Sequence, residues 1–498
     1  MKTSKTMLLL VFLFFIPILF LVIESISYER ELLSLFWQYQ LQQVLEHTLI
    51  VGVVISLFSS LLGVFWGYLI QRYDFFARKT ISWLLAIPLA IPAYIYSFLY
   101  LSLWQQWVNH QRPLGLLIML FVFSTFPYMY LLCLQYFSKT APSLHHAGKL
   151  CRLSPLQVKL RISLPLLKPT LIAGFGLIFM EYIADFGAVS LFGLNTISVS
   201  IYKMWTSYFS FSTASLLCSL LLLVVFIALY FQGKLKNYSY QTQTPQLKKV
   251  SPLLQTLILL MACGQITLSV FLPIGYLLFL SLSSQLTGQL STALFHTGSL
   301  SFLFALMLTF FTFFILIKTK LRKSSLAQIL QYGYATPGTL IAVAASLPFF
   351  FLQQVLPISL PYIAFSSLIL LYAWTLRFFK VSYEPLSQSF HQISQNLHAA
   401  IKLHSQSKWQ QFTAYYLPLL KKGMITSTLL VFIEVTKELP IALLTRPLGM
   451  ELLSVQVYQY TAESQWNEAA IPALIIILLS GTGLYWILGQ KGVLSAKH

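Results

Sequence analysis

Charged residues are scarce in this chain, and the sequence lacks several common catalytic and nucleotide-binding motifs. Only 9% of its 498 residues are charged, whereas 57% are hydrophobic, and both values lie far from those of a soluble globular domain. The sequence contains no G-x-x-x-x-G-K-[ST] loop for nucleotide phosphates, no H-E-x-x-H zinc motif and no G-x-S-x-G nucleophile turn. These absences argue against a soluble enzyme, and they predict that the chain binds no nucleotide or other cofactor itself.

Cysteine and histidine are too few and too scattered to indicate a metal centre. The four cysteines, Cys133, Cys151, Cys218 and Cys263, include no C-x-x-C pair. The nine histidines are dispersed, and most lie in polar segments or near the ends of apolar ones. The spacing therefore predicts neither a disulfide framework nor a bound metal.

Long apolar runs are abundant, and they recur along the whole chain. About 20 apolar residues cross a bilayer as a helix, and the sequence predicts twelve such helices. The first run resembles a signal peptide, but its length and the lack of an A-x-A site favour an uncleaved span. We therefore predict an all-α polytopic membrane protein with spans near residues 7–23, 47–70, 81–103, 114–136, 169–192, 212–232, 253–280, 298–318, 326–352, 357–379, 423–446 and 469–489.

The basic residues alternate with these spans. If the N-terminus lies inside, all but five of the 32 lysines and arginines fall on the inner side, and the five exceptions are Arg30, Arg112, Lys203, Lys437 and Arg446. The positive-inside rule then places both termini in the cytoplasm. The net charge of +19 is thereby assigned to loops that face anionic lipid headgroups, and no nucleic-acid partner is predicted.

Two basic stretches, residues 144–169 and 397–423, read as copies of each other at an offset of 253 residues. The same offset aligns Glu181 with Glu434 and Asp185 with Glu438 in the apolar segments that follow. A polar segment, 233–252, separates six spans from six. We predict a first repeat at 1–232, a cytoplasmic linker at 233–252 and a second repeat at 253–498. An even number of spans makes the two repeats parallel in the membrane.

Four acidic residues lie inside predicted spans. The spacing of four places Glu181 with Asp185, and Glu434 with Glu438, on one helix face each. A carboxylate near the middle of a bilayer costs roughly 2.5–3.5 kcal/mol even on a lenient insertion scale. Two interpretations remain open. The acids line a path for a cation that prefers oxygen ligands, or they anchor the helices; Lys437 is a partner for Glu434 that Glu181 lacks.

The loop pattern, the arrangement of six plus six spans and the run FIEVTKELPIALLTRPLG at 432–449 together resemble a known family. They are similar to the permease subunits of binding-protein-dependent ABC importers, and more narrowly to the fused two-repeat permeases of the ferric-iron group. The resemblance implies the fold of a type I importer permease. Its motif residues here are Lys437, Pro440, Arg446, Pro447 and Gly449.

In that family each repeated loop forms a coupling helix that sits in a cleft of a separate ATPase subunit. The resemblance therefore implies two copies of a cytoplasmic ATPase, held by residues 141–165 and 394–418. Departures occur at His145 and His398, where the family has glutamate, and at Arg152 and Ser405, where it has glycine. The implied contact residues are His145, Ala147, Gly148, Ser154 and Pro165 in the first loop, and His398, Ala400, Ser405, Ser407 and Pro418 in the second.

The resemblance also implies a function. The chain is expected to be a permease of the bacterial inner membrane that moves ferric iron from an extracytoplasmic binding protein into the cytoplasm, while a partner subunit hydrolyses ATP. Arg446–Glu451 and Tyr458–Glu468 are the expected contacts of the binding protein. Alternatives left open are the same machine for thiamine, a polyamine or a phosphonate, a proton-coupled secondary transporter that uses the four carboxylates, and a membrane-embedded enzyme.

Overall fold

The computed structural model of this chain is helical almost throughout. It describes residues 5–108, 112–139, 154–158, 161, 163–233, 247–284, 288–318, 332–356, 361–405 and 407–490. Within them, nine helices are long and apolar enough to span a membrane, two bent helix pairs raise this to eleven, and Phe211–Ile227 is a shorter apolar helix. Each of the twelve predicted spans thus coincides with an apolar helix or helix pair, and the all-α polytopic prediction is confirmed.

The first half contains six apolar segments and several short connecting helices. A π turn at Glu46–Ile50 joins two of these helices into one long span, and a 3₁₀ turn at Ile87–Ala90 lies inside another segment. The helices are α1 (Lys5–Ser25), α2 (Arg30–Tyr39), α3 (Leu41–Leu45), α4 (Val51–Arg72), α5 (Arg78–Leu84), α6 (Ala93–Trp107), α7 (Leu114–Lys139), α8 (Pro155–Val158), α9 (Leu164–Ala184), α10 (Gly187–Leu191), α11 (Ile197–Thr206) and α12 (Phe211–Gly233).

The second half repeats this order. It has π turns at Thr267–Phe271 and Gln411–Tyr416 and a 3₁₀ turn at Tyr332–Ala335. Strands β1 (Tyr73–Asp74) and β2 (Lys248–Lys249) pair in parallel. The helices are α13 (Pro252–Ile266), α14 (Leu272–Ser281), α15 (Gly288–Lys318), α16 (Gly338–Val355), α17 (Tyr362–His391), α18 (Gln395–His404), α19 (Lys408–Gln410), α20 (Leu417–Thr436), α21 (Pro440–Thr445), α22 (Leu453–Ala462) and α23 (Trp466–Gln490). Most of the predicted linker lies outside the described residues, so the domain boundaries stay a prediction.

The first span of each half packs against the other half in an equivalent way. Helix α1 packs against α12 of its own half and against α16 of the other. Helix α14 packs against α23 of its own half and against α6 of the other. The first span of each half therefore lies on the third span of the opposite half, which brings the interior helices of both halves together at the centre.

Tyrosine hydroxyls satisfy backbone carbonyls where the spans are irregular. Pro17 has no N–H for the carbonyl of Leu13, and the Tyr372 hydroxyl donates to that carbonyl at 2.5 Å. In the π turn of the seventh span, Ser269 O accepts from the Tyr96 hydroxyl at 2.5 Å. Because lipid offers no hydrogen bonds, such breaks persist only where neighbouring side chains replace the lost partners.

The third span breaks more sharply than a kinked helix. At Pro88 and Pro92 the structure turns by 92° between α5 with its 3₁₀ turn and α6. Pro92 has an extended backbone and directly precedes α6. The break places the first turn of α6, including Tyr94, at the centre of the molecule.

Two glycines let α4 and α7 pack closely. Gly63 and Gly67 lie one turn apart on α4, which places them on one face. A Cβ atom added at Gly63 would lie 2.6 Å from Met129 Cβ, and one added at Gly67 would lie 2.6 Å from Cys133 Cβ. Small residues of this spacing are typical of close helix packing in membranes.

We expect Gly67→Val to destabilise the protein by about 1–3 kcal/mol, because the new side chain overpacks this contact. Thermal unfolding of the purified protein in detergent measures the effect. Gly264→Val is the matched control, since a Cβ atom there meets nothing within 4 Å. Equal unfolding temperatures for the two variants would contradict the close contact of α4 and α7.

Candidate translocation cavity

The two spans that carry the membrane acids break directly before the second acid of each pair. Helix α9 ends at Ala184 and α20 ends at Thr436, whereas the sequence predicted spans reaching about residues 192 and 446. The prediction that each pair shares one helix face is therefore wrong. Asp185 has an extended backbone, with φ −72° and ψ 134°. In the second half Pro440 starts the next short helix, a position where its missing N–H is tolerated.

Asp185 and Glu438 make equivalent hydrogen bonds in the two breaks. Asp185 Oδ1 accepts from the backbone N–H of Ala188 at 2.8 Å. Glu438 Oε1 accepts from Ile441 N–H at 2.9 Å, and its Oε2 accepts from Ala442 N–H at 3.0 Å. The first N–H groups of a helix lack partners within the helix, so each acid stabilises the start of the short helix after its break. This is the anchoring role that the sequence left open.

All four acids nevertheless line one cavity at the centre of the molecule. The cavity has a volume of about 130 Å³, which is room for a small cluster of waters or a hydrated ion. Helices α6, α7 and α9 of the first half and α17 and α20 of the second contribute to it. Its polar lining consists of Tyr94, Ser124, Thr125, Tyr128, Glu181, Asp185, Arg377, Glu434, Lys437 and Glu438.

Two cations of the second half accompany its acids. Lys437 Nζ lies 2.8 Å from Glu434 Oε1, the pairing that the sequence suggested. Arg377 Nη1 lies 4.0 Å from Glu438 Oε1, and the Arg377 side chain is only 14% exposed. The Nε and Nη1 atoms of Arg377 have no hydrogen-bond partner. The pair is therefore held by electrostatic attraction in a confined space rather than by hydrogen bonds.

Arg377 was predicted to lie on the cytoplasmic side of the membrane, whereas the structure places its side chain in the central cavity beside Glu438. Helix α17 continues to His391, whereas the sequence predicted a span that ends at about residue 379. The informative signal was the offset of 253, which aligns Arg377 with Ser124, a residue inside a predicted span.

The motif residues that follow Pro440 form a tight turn. Arg446 Nη1 donates to Met450 O at 3.0 Å and to Glu451 Oε2 at 3.2 Å. Gly449 has φ +81°, a backbone conformation that favours glycine. Arg446 thus closes the loop that Pro447 and Gly449 shape. Contact of this loop with a binding protein stays a prediction.

The two repeated loops share local structure wherever both are described. Ser154 Oγ accepts from Gln157 N–H at 3.2 Å, and Ser407 Oγ accepts from Gln410 N–H at 3.1 Å. Both contacts span three residues and lie 253 residues apart. Pro165 and Pro418 occupy the first turns of α9 and α20. His145, Ala147 and Gly148 lie outside the described residues.

The second loop contains the helix α18, which includes His398 and Ala400. Ser394 Oγ caps its start by accepting from Leu397 N–H at 3.2 Å. Ile401 is buried against the core of the second half. Leu403 is 85% exposed. Ser405 directly follows the helix. An anchored helix with an exposed apolar side chain is suited to contact a partner.

Comparison with known proteins finds that this chain is similar to transport permeases. A family described as "Binding-protein-dependent transport system inner membrane component" matches residues 59–235. The chain is 25% identical over 490 residues to the Fe(3+)-transport system permease protein FbpB 2 of Haemophilus influenzae, and the alignment covers 94% of each chain. The expected resemblance to permeases is thereby confirmed. Such proteins are the membrane components of their transporters, in agreement with the prediction that the chain is not an enzyme.

Two further relatives align with less than half of the chain. The molybdate/tungstate transport system permease protein WtpB of Methanocaldococcus jannaschii is 25% identical over 211 residues, which cover 40% of this chain and 83% of that one. The probable sulfate transport system permease protein cysT of Prototheca wickerhamii is 25% identical over 200 residues, covering 37% and 78%. Both relatives are about half as long as this chain, as expected if it fuses two permease units.

We expect Arg377→Met to destabilise the protein by about 3 kcal/mol, because Glu438 then remains buried without a counter-charge. Combination with Glu438→Gln is expected to recover part of the loss. Chemical unfolding in detergent measures both effects. Lys380→Met is the matched control on the same helix, since its exposed pair with Glu384, at 3.9 Å, contributes at most about 1 kcal/mol. Equal losses for Arg377→Met and Lys380→Met would contradict the buried pair.

Proposed function

Because this chain carries a permease domain of the binding-protein-dependent transport family, we propose that it forms the membrane pathway of an ATP-driven importer of ferric iron. The single observation that carries the proposal is the central cavity with its four carboxylates. Ferric iron is a hard cation, and carboxylate, hydroxyl and water oxygens are the ligands that hard cations prefer. The Fe(3+) permease that aligns over 94% of the chain supports the same cargo.

The charge of the cavity argues against an oxyanion cargo. Its lining residues include four acids and two cations, which gives a formal net charge of −2 when all are ionised. A sulfate or molybdate dianion would meet repulsion in this confined space, and like charges brought together discriminate strongly against a ligand. The sulfate and molybdate/tungstate relatives therefore support the type of machine and not the cargo.

Energy for transport is proposed to come from two copies of a cytoplasmic ATPase. The sequence has no phosphate-binding loop of its own, and the two repeated loops offer two equivalent points of attachment. Leu397, Leu403 and Trp409 are exposed apolar side chains on the second loop. Burial of such side chains by a partner stabilises an interface. Movement of both loops would then rock the two halves and open the cavity to each side in turn.

On the opposite face we propose an extracytoplasmic binding protein that delivers the iron. Its contacts are Arg446–Glu451, shaped by the Arg446 turn, and Tyr458–Glu468, where Glu463 and Gln465 are exposed. Both termini and the basic loops would face the cytoplasm and its anionic lipids, by the positive-inside rule. The chain itself would bind no cofactor, and ATP would be used by the partner subunit.

Reconstituted vesicles test the proposal. Vesicles that contain this chain, with the ATPase inside and iron-loaded binding protein outside, are expected to accumulate iron only when ATP is enclosed. A proton ionophore should leave this uptake intact, whereas it would abolish uptake by a proton-coupled carrier. Excess thiamine, spermidine or phosphonate should not compete. Uptake without ATP, or competition by one of these compounds, would overturn the proposed function.

If the ATPase docks on α18, the exposed Leu403 side chain should contribute to its binding. Leu403→Asp should reduce retention of the ATPase on the purified permease by about tenfold or more, because a charge replaces an apolar side chain worth roughly 1.5–3 kcal/mol when buried. ATP-dependent uptake should fall with it. Asn396→Ala is the control, since Asn396 is an exposed polar residue of the same helix. Equal retention by wild type and Leu403→Asp would remove α18 from the docking surface.

A further inference from the structure

The two halves contribute unequally to the charge of the cavity. We define the first-half wall as Tyr94, Ser124, Tyr128, Glu181 and Asp185, and the second-half wall as Arg377, Glu434, Lys437 and Glu438. The second-half wall carries two acids and two cations. The first-half wall carries two acids and no cation, because Ser124 and Ala184 occupy the positions that align with the two cations. The whole net charge of the cavity thus belongs to one wall.

Among the described residues, Glu181 forms no ion pair with either cation of the cavity. One of these cations, Lys437, is already engaged by Glu434 at 2.8 Å. Glu181 meets the like charge of Glu434 and the positive charges of Lys437 and Arg377, and it accepts a hydrogen bond from the Tyr128 hydroxyl. Asp185, by contrast, already accepts a hydrogen bond from Ala188 N–H. Glu181 is therefore the carboxylate of this wall that faces the cavity without an anchoring role in the backbone.

An unpartnered hydroxyl faces the same space. Tyr94 is 4% exposed, lines the cavity, and its hydroxyl has no hydrogen-bond partner. Its electrostatic neighbours are Glu438 and Asp185. A buried polar group without a partner costs about 1–3 kcal/mol. Pro92 and the break before α6 hold it here all the same, and a ligand in the cavity would supply the missing partner.

Resting on the proposed function, we infer that the first-half wall holds a transit site for a hydrated, hard, multivalent cation. The Glu181 carboxylate is its charged ligand, the Tyr94 hydroxyl lines the same cavity, and water supplies the other ligands. Within the described residues, no three His, Cys, Asp or Glu side chains lie close enough to form a metal cage. The site therefore binds weakly, as passage requires: a cation must enter readily and leave again.

Lanthanide ions provide a direct probe, because they are hard trivalent cations that take oxygen ligands. Tb³⁺ luminescence excited through the cavity tyrosines reports occupancy, and calorimetric titration of the purified full chain with La³⁺ reports affinity. Glu181→Gln removes the charge and preserves the shape, and we expect at least about tenfold weaker binding. Tyr94→Phe removes one oxygen only, and we expect about threefold weaker binding. Glu31→Gln, at an exposed acid outside the cavity, should bind like wild type.

Two more variants separate the walls and exclude misfolding as an explanation. Lys437→Met makes the cavity more negative and should tighten La³⁺ binding severalfold, a gain that a misfolded protein cannot give. Glu434→Gln combined with Lys437→Met removes a neutral pair and leaves the first-half wall intact, so binding should stay within about threefold of wild type. Loss of binding in this double variant as severe as in Glu181→Gln would overturn the assignment to the first-half wall.

The transit site and the proposed function fail in distinguishable ways. Equal La³⁺ affinities for wild type and Glu181→Gln would overturn the site, while ATP-dependent iron uptake by wild type could still stand. Absence of ATP-dependent iron uptake by the wild-type complex would overturn the function, whatever the lanthanide affinity. The expected result is uptake by wild type together with a lower rate for Glu181→Gln at limiting iron.

Discussion

A bilayer supplies no hydrogen bonds, so backbone groups freed where a span breaks must find their partners within the chain. The central breaks meet that requirement with carboxylates: Asp185 and Glu438 hold the N–H groups that begin α10 and α21. The irregular turns meet it with phenols, as where Tyr372 donates to the carbonyl opposite Pro17. Because these partners come from side chains, non-helical backbone can lie at the centre of the molecule and shape a cavity there.

The outer features of this fold were accessible from the sequence because each rests on a local pattern. Twelve apolar runs mark the spans, and the offset of 253 residues identifies equivalent positions in the two halves. The Ser154 and Ser407 caps follow from serine at the start of a helical turn, where its hydroxyl replaces a missing acceptor. The contact of Lys437 with Glu434 follows from their spacing of three residues.

The structure around the central cavity could not be predicted from local sequence patterns. Apolar residues continue past Ala184, so hydropathy alone extends the span across a break that exists because Asp185 caps the next helix. Arg377 looked cytoplasmic because its compensating acid, Glu438, is distant in sequence. The unpartnered Tyr94 hydroxyl depends on how α6 packs after the break. Each of these features is set by contacts between helices, which residue spacing does not encode.

The joining of both halves in one chain has a consequence for how the cavity can change. In a permease built from two identical subunits, every substitution is duplicated, and a lysine placed beside one glutamate appears beside both. Here Lys437 could arise while its counterpart stayed Ala184. Within one chain each side of the cavity can mutate independently, so the two sides can differ in charge.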